Sequence, residues 1–188
     1  MLGILKIETL PENARVYFAG SPEVQRVRRS IRKHQRIVAT SDPGPLQFTS
    51  VPLNVLDIRL IHFKPVGLWY ACGAEWLDWL KYNEPTRWGF CGLYEIILDE
   101  SLLLRIDTLD KLREFARLSK PPQTQCYREH FLNWSFAYSR YAGIEICPYQ
   151  PKARHEMGWY ETWDVASGCV WNSDAIVGVK ELLPPVCY

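Results

Sequence analysis

The sequence predicts a single α+β domain spanning residues 1–188, and three observations carry that prediction. The length falls within the usual range for one domain. Hydrophobic residues make up 47% and charged residues 23%, the balance of a chain that buries a core rather than one that stays disordered. Strand-like runs are broken by two or three helical ones without regular βαβ alternation, which is the pattern of α+β folds.

Taken in order, "ARVYFAG" (Ala14 to Gly20) has strand composition and stops at the turn residues Gly20, Ser21 and Pro22. The basic run "RVRRSIRKHQR" follows, crowding Arg26, Arg28, Arg29, Arg32, Lys33 and Arg36 together with no acid among them. Like charges this dense lie in solvent or face an anion, so the run is either a solvated edge or a contact for nucleotide or nucleic-acid phosphate. "TSDPGPLQFTSVP" (Thr40 to Pro52) reads as an irregular loop. "VLDIRLIHF" alternates Leu56, Ile58, Leu60 and His62 against Asp57, Arg59 and Ile61, which predicts a strand.

"VGLWYA" reads as a further strand, and "GAEWLDWLKYN" as a helix with Trp76, Leu77 and Leu80 on its apolar side. "GLYEIILD" predicts a strand with Leu93, Ile97 and Ile96 serving the core, and "SLLLRID" another. Asp107 or Thr108 caps a helix over "LDKLREFARL", where Leu109, Leu112, Phe115 and Ala116 recur at helical spacing, and Lys120, Pro121 and Pro122 stop it. A second helix is expected within Tyr127 to Arg140, with Phe131, Trp134 and Tyr138 along one side. "GIEICPY" then reads as a strand. Aromatic strand pieces follow in "GWYETWDV", then a tight turn at "ASG" (Ala166 to Gly168) and a last strand in "AIVGVKEL".

Several classes of function are excluded or left without support. No apolar stretch of about 18 residues occurs, which removes a transmembrane reading and a membrane partner. Lys6 and Glu8 interrupt the N-terminal apolar run before it reaches signal-peptide length, so a cytoplasmic location is expected. Six scattered cysteines form no C-x-x-C pattern, and reduced thiols are expected rather than a disulfide framework. His34, His62, His130 and His155 share no metal-ligand spacing, so no metal is expected. There is no G-x-G-x-x-G, Walker A, H-E-x-x-H or G-x-S-x-G sequence. The eight Trp and ten Tyr are mostly core, with at least one ring-lined surface, because their polar atoms need partners.

The strand ending in "GLWYA", its small-residue turn and the following helix resemble the second signature element of the ADP-ribosyltransferase superfamily, the poly(ADP-ribose) polymerase and diphtheria-toxin-like enzymes. The order of the remaining strands is similar, down to "GIEI" with its single carboxylate, Glu145. "KPxGLW", "GIxIxPYQ" and "WDxASGCxWN" are together similar to segments of bacterial and phage proteins of this size.

The resemblance implies two small antiparallel sheets forming a cleft for NAD, with NAD as co-substrate and no metal. It implies that Gly67, Trp69, Tyr70 and Ala71 receive the nicotinamide ring, and that Arg15, Tyr17 or His62 meets the ribose and amide. The expected activity is mono-ADP-ribosyl transfer to a protein or nucleic-acid acceptor, as in toxins and phage–host conflict factors. The alternatives are a non-enzymatic nucleotide- or partner-binding module and an NAD glycohydrolase.

Cleaving the ribose–nicotinamide bond develops positive charge on the sugar, and a carboxylate near the ribose offsets it. Glu145 is one candidate, since alternation sets it opposite Ile144 and Ile146; otherwise it is a solvent-facing Glu on a half-exposed strand. Asp164 is the second candidate acid, or else it caps the neighbouring turn together with Ser167.

Overall fold

The computed structural model describes residues 5–6, 15–58, 61–84, 88–121 and 130–186. Its strands are β1 (Leu5–Lys6), β2 (Tyr17–Phe18), β3 (Arg36–Thr40), β4 (Ile61–His62), β5 (Leu68–Cys72), β6 (Trp88–Phe90) and β7 (Gly92–Leu98). Then come β8 (Leu103–Ile106), β9 (Leu132–Asn133), β10 (Gly143–Ile146), β11 (Ser167–Val170) and β12 (Ile176–Leu183). The helices are α1 (Pro22–Ser30), α2 (Leu53–Ile58), α3 (Glu75–Asn83), α4 (Leu109–Leu118), α5 (Ser135–Tyr138) and α6 (Ala153–Glu156). The mixed α+β class is as expected. Backbone contacts divide the chain into two compact units, one formed by Met1–Phe48, Trp69–Leu98 and Ile176–Tyr188, the other by Thr49–Leu68 and Asp99–Ala175.

In the first unit, the strand order β12-β7-β3-β5 is antiparallel throughout, and a small sheet runs β1-β6-β2. Its core gathers Val24 from α1, Ile37 and Ala39 from β3, Leu77 from α3, Phe90 from β6, and Leu93 and Leu183 from the long strands. Apart from Ala39, each of these side chains contributes on the order of 1.5–3 kcal/mol by leaving water. Along β7, Leu93, Ile96 and Leu98 are buried, whereas Ile97 is 51% exposed. Strict alternation therefore assigns Ile97 to the core wrongly.

The basic run begins on a helix, passes through the turn that holds Arg32 and Lys33, and ends at Arg36, the first residue of β3. Pro22 starts α1, an N1-type position that suits its fixed φ and missing N–H, and Arg26, Arg28 and Arg29 lie on that helix. Arg28 binds Asp78 of α3 through Nε and Nη2 at 2.8 and 2.5 Å. At Gly73 the chain leaves β5 with φ 64°, a left-handed conformation that glycine adopts without penalty, and α3 begins two residues later.

In the second unit, β10 lies between β11, to which it is antiparallel, and β8, to which it is parallel. A short pair, β4 and β9, lies apart from that sheet. Two small antiparallel sheets therefore do not describe this chain: its strands form more sheets than that, and the β8–β10 pairing is parallel. Thr108 caps α4 through its hydroxyl, which accepts from the Lys111 N–H at 3.3 Å, and Leu112 and Phe115 are buried on the helix's inner face.

Other elements differ from expectation in this unit. Of the run read as one strand from Val55, the residues up to Ile58 belong to the helix α2, which begins directly after Pro52, and Ile61–His62 is extended; Arg59 and Leu60 lie outside the described residues. The helix expected over Tyr127 to Arg140 reduces to the single turn α5, preceded by β9; Tyr127, Arg128 and Glu129 lie outside the described residues. Gly158–Thr162 is a 3-10 helix rather than a strand, and of the turn expected at Ala166 to Gly168 the chain bends at Val165 and Ala166 while Ser167 and Gly168 open β11.

The aromatic residues explain much of that second set of differences. Trp134, Trp159, Tyr160 and Trp163 are 0–3% exposed and meet ring to ring at centroid distances of 5.4–6.3 Å. Contacts of this kind add roughly 0.5–1.5 kcal/mol each beyond area burial. Five of the eight Trp are buried, so most serve the core, as expected. None of Cys72, Cys91, Cys147 and Cys169 forms a disulfide. Among the described residues, no helix is long and apolar enough to cross a membrane.

Candidate functional site

Glu145 is the middle residue of a buried triplet on β10, with Ile144 and Ile146 at 0% and Glu145 at 4% exposure. Both faces of the strand are therefore covered, and the solvent-facing alternative does not hold. Its cross-strand neighbours are Gly168 on β11 and Arg105 on β8. Arg105 Nε donates to Glu145 Oε1 at 3.2 Å, while the same guanidinium binds the exposed Glu100 through Nη1. An arginine fork thus ties a buried carboxylate to one at the surface. A buried carboxylate costs several kcal/mol in desolvation unless it is matched, so this ion pair keeps an anion inside the unit at tolerable cost.

Asp164 has different partners. It forms an ion pair with Arg154 at 3.4 Å and lies near enough to Lys64 to act on its charge. Burial pushes the Lys64 ammonium below its ordinary range, and the Asp164 carboxylate and then Cys169 oppose that shift. Ser167 donates to the Val165 carbonyl at 3.1 Å, so the side-chain-to-backbone bond expected near this turn comes from Ser167. Burial pushes the fully enclosed Cys169 thiol far above its ordinary value. That removes Cys169 as a thiolate nucleophile near neutral pH.

The residues of the "KPVGLWYA" segment are in close surroundings. Gly67 has φ 153°, and a Cβ there would lie 2.1 Å from the Val170 carbonyl oxygen and 2.9 Å from Cys169 Sγ. Its glycine identity is explained by this approach of backbone to backbone. Trp69, Tyr70 and Ala71 are 6%, 0% and 1% exposed, so the Tyr70 ring is enclosed by protein. The partly buried Trp76 and Trp79 of α3 stack on one another at 4.9 Å with 4° between planes.

The three candidates for the ribose contact lie in separate settings. Arg15 is exposed just ahead of β2. Tyr17 packs on Phe90, and its hydroxyl donates to the Pro184 carbonyl at 3.2 Å. The His62 ring lies 4.3 Å from Phe63 and 6.1 Å from Phe131, and its Nδ1 accepts from the Lys64 N–H at 3.4 Å.

A feature missed in the sequence lies in the second unit. A pocket of about 500 Å³ is lined by Lys120, His130, Phe131, Arg154, His155 and Trp159, among others. Lys120 reads in the sequence only as part of a helix stop, and the two histidines are 25 positions apart. The one local signal is "KARHE", which sets two further cations and a histidine together at 152–155. Among the described residues, no group of three or more His, Cys, Asp or Glu could hold a metal ion. No protein-family model, curated protein or solved structure matches the chain.

Proposed function

We propose that the protein is an NAD-dependent mono-ADP-ribosyltransferase, with Glu145 as the carboxylate that offsets charge on the ribose as nicotinamide leaves. The observation that carries this reading is the placement of Glu145: an acid held within β10 and paired with Arg105, whose half-exposed guanidinium links it to the surface. Fixed charge in a water-poor setting stabilises a developing cation far more than the same charge in solvent. Support also comes from the chain order of β2, the β5–turn–α3 corner, β7, β8 and β10, which is the order the resemblance requires.

The reaction breaks the bond from ribose C1′ to the nicotinamide nitrogen, and the bonding pair leaves with the ring. A lone pair of the acceptor then forms the new bond to C1′, and the acceptor gives up its proton. A nucleic-acid acceptor would find phosphate partners in Arg26, Arg29, Arg32 and Lys33, which are exposed, while Arg28 is committed to Asp78. Incubation with NAD labelled in its adenylate, with and without cell lysate, RNA and DNA, tests the reading. Label on a macromolecule is expected; free ADP-ribose alone would make the protein a glycohydrolase.

A second reading, a non-enzymatic binding module, is favoured by one observation: the Tyr70 ring is wholly enclosed, whereas a ring that packs on nicotinamide needs an open face. Binding of a nucleotide without any nicotinamide release would select it.

A further inference from the structure

The pocket of the second unit has a volume of about 500 Å³, within the ordinary range for sites that hold a small molecule. Its lining combines the apolar Phe131, Met157 and Trp159 with Lys120, Arg154 and the imidazoles of His130 and His155. Two carboxylates also reach the lining, Glu156 and Glu161. Glu156 is held from outside by Arg113 at 2.8 and 2.9 Å, which matches its charge.

At Gly158, a Cβ would lie 2.3 Å from His130 Nδ1, so the absence of a side chain is what lets that imidazole settle against the pocket backbone.

We propose that this pocket binds a ring-bearing phosphate monoester of the size of a nucleoside monophosphate. The ring lies against Phe131, Met157 and Trp159. The phosphate meets Lys120 and the two imidazoles, while Arg154 stays paired with Asp164 and faces Glu161, so the cations left for the ligand suit a phosphate better than a neutral group. Neither Glu145 nor Arg105 lines the pocket, so this inference does not rest on the transferase reading, and it is tested by binding rather than by turnover.

Calorimetric titration of the full chain with AMP, GMP, CMP and UMP, against adenosine and inorganic phosphate, is the test. At least one nucleotide binds saturably, and its nucleoside and inorganic phosphate each bind at least about tenfold more weakly. The double variant Lys120→Ala/His155→Ala, at two exposed positions whose truncation leaves the core intact, loses about tenfold or more in affinity. Three results would overturn the proposal: no saturable binding of any of the four nucleotides, inorganic phosphate binding as tightly as the nucleotide, or unchanged affinity in the double variant.

Discussion

At the scale of single residues, Gly67 and Lys64 give the plainest physical statements. Gly67 combines a φ of 153° with a Val170 carbonyl that leaves no room for a Cβ. Gly67→Ala is expected to destabilise the protein by roughly 3 kcal/mol, from backbone strain and overpacking together, read as a lower urea midpoint. A loss within about 0.5 kcal/mol would mean that the neighbouring strand yields. Lys64 is a cation held below its ordinary pKa by burial, so the folded form binds its proton less readily than the unfolded form does. Protonation therefore opposes folding at neutral pH, and the penalty disappears as pH rises through the folded value toward the unfolded one. Lys64→Met is expected to be more stable than the wild type at pH 7, with an advantage that shrinks as pH approaches about 10. A pH-independent difference in denaturation midpoint would contradict the burial argument. The candidate acids show where residue-level reading reaches its limit. That Glu145 lies on a strand is legible in "GIEI", but its burial on both faces is not, because the covering groups come from distant parts of the chain.

At the scale of elements, legibility follows the locality of the signal. α3, α4, β7, β10 and β12 are marked by apolar spacing, caps and stops within their own residues, and each occurs where the sequence predicts it. α4 is the clearest case, since Thr108 supplies the cap and Leu112 and Phe115 the buried face. Thr108→Ala is expected to cost about 1 kcal/mol and Thr108→Ser much less, measured by urea titration with an unchanged slope. Equal losses for the two substitutions would show that the hydroxyl bond contributes nothing. Elements decided by tertiary packing are misread. Leu56 and Ile58 fit an alternating strand on paper, yet one and a half helical turns over Leu53–Ile58 precede the extended Ile61–His62. Likewise "GWYET" is rich in residues that favour strands, but Trp159 and Tyr160 meet the rings of Phe115, Trp134, Tyr149 and Trp163, and the chain takes a 3-10 path to fit them. The pocket is the extreme instance: Lys120, His130 and His155 come from segments far apart in sequence, and only folding sets them round one space.

At the scale of the whole molecule, a net charge of +1 conceals a local concentration of cations on and after α1, with Arg28 alone of that helix's arginines tied to an acid among the described ion pairs. Under the proposed transfer to a nucleic acid, neutralising the exposed Arg26, Arg29, Arg32 and Lys33 should affect acceptor use before it affects stability. The proposed ADP-ribosyl transfer rests on one carboxylate, Glu145. The most direct measurement is the rate of nicotinamide release from NAD by the wild type and by Glu145→Gln, with NAD affinity measured in parallel. Glu145→Gln keeps the shape of the side chain and removes its charge, so release should fall by about a hundredfold or more while NAD still binds. Release that continues at the wild-type rate in the variant, or no release from either protein, would contradict the account.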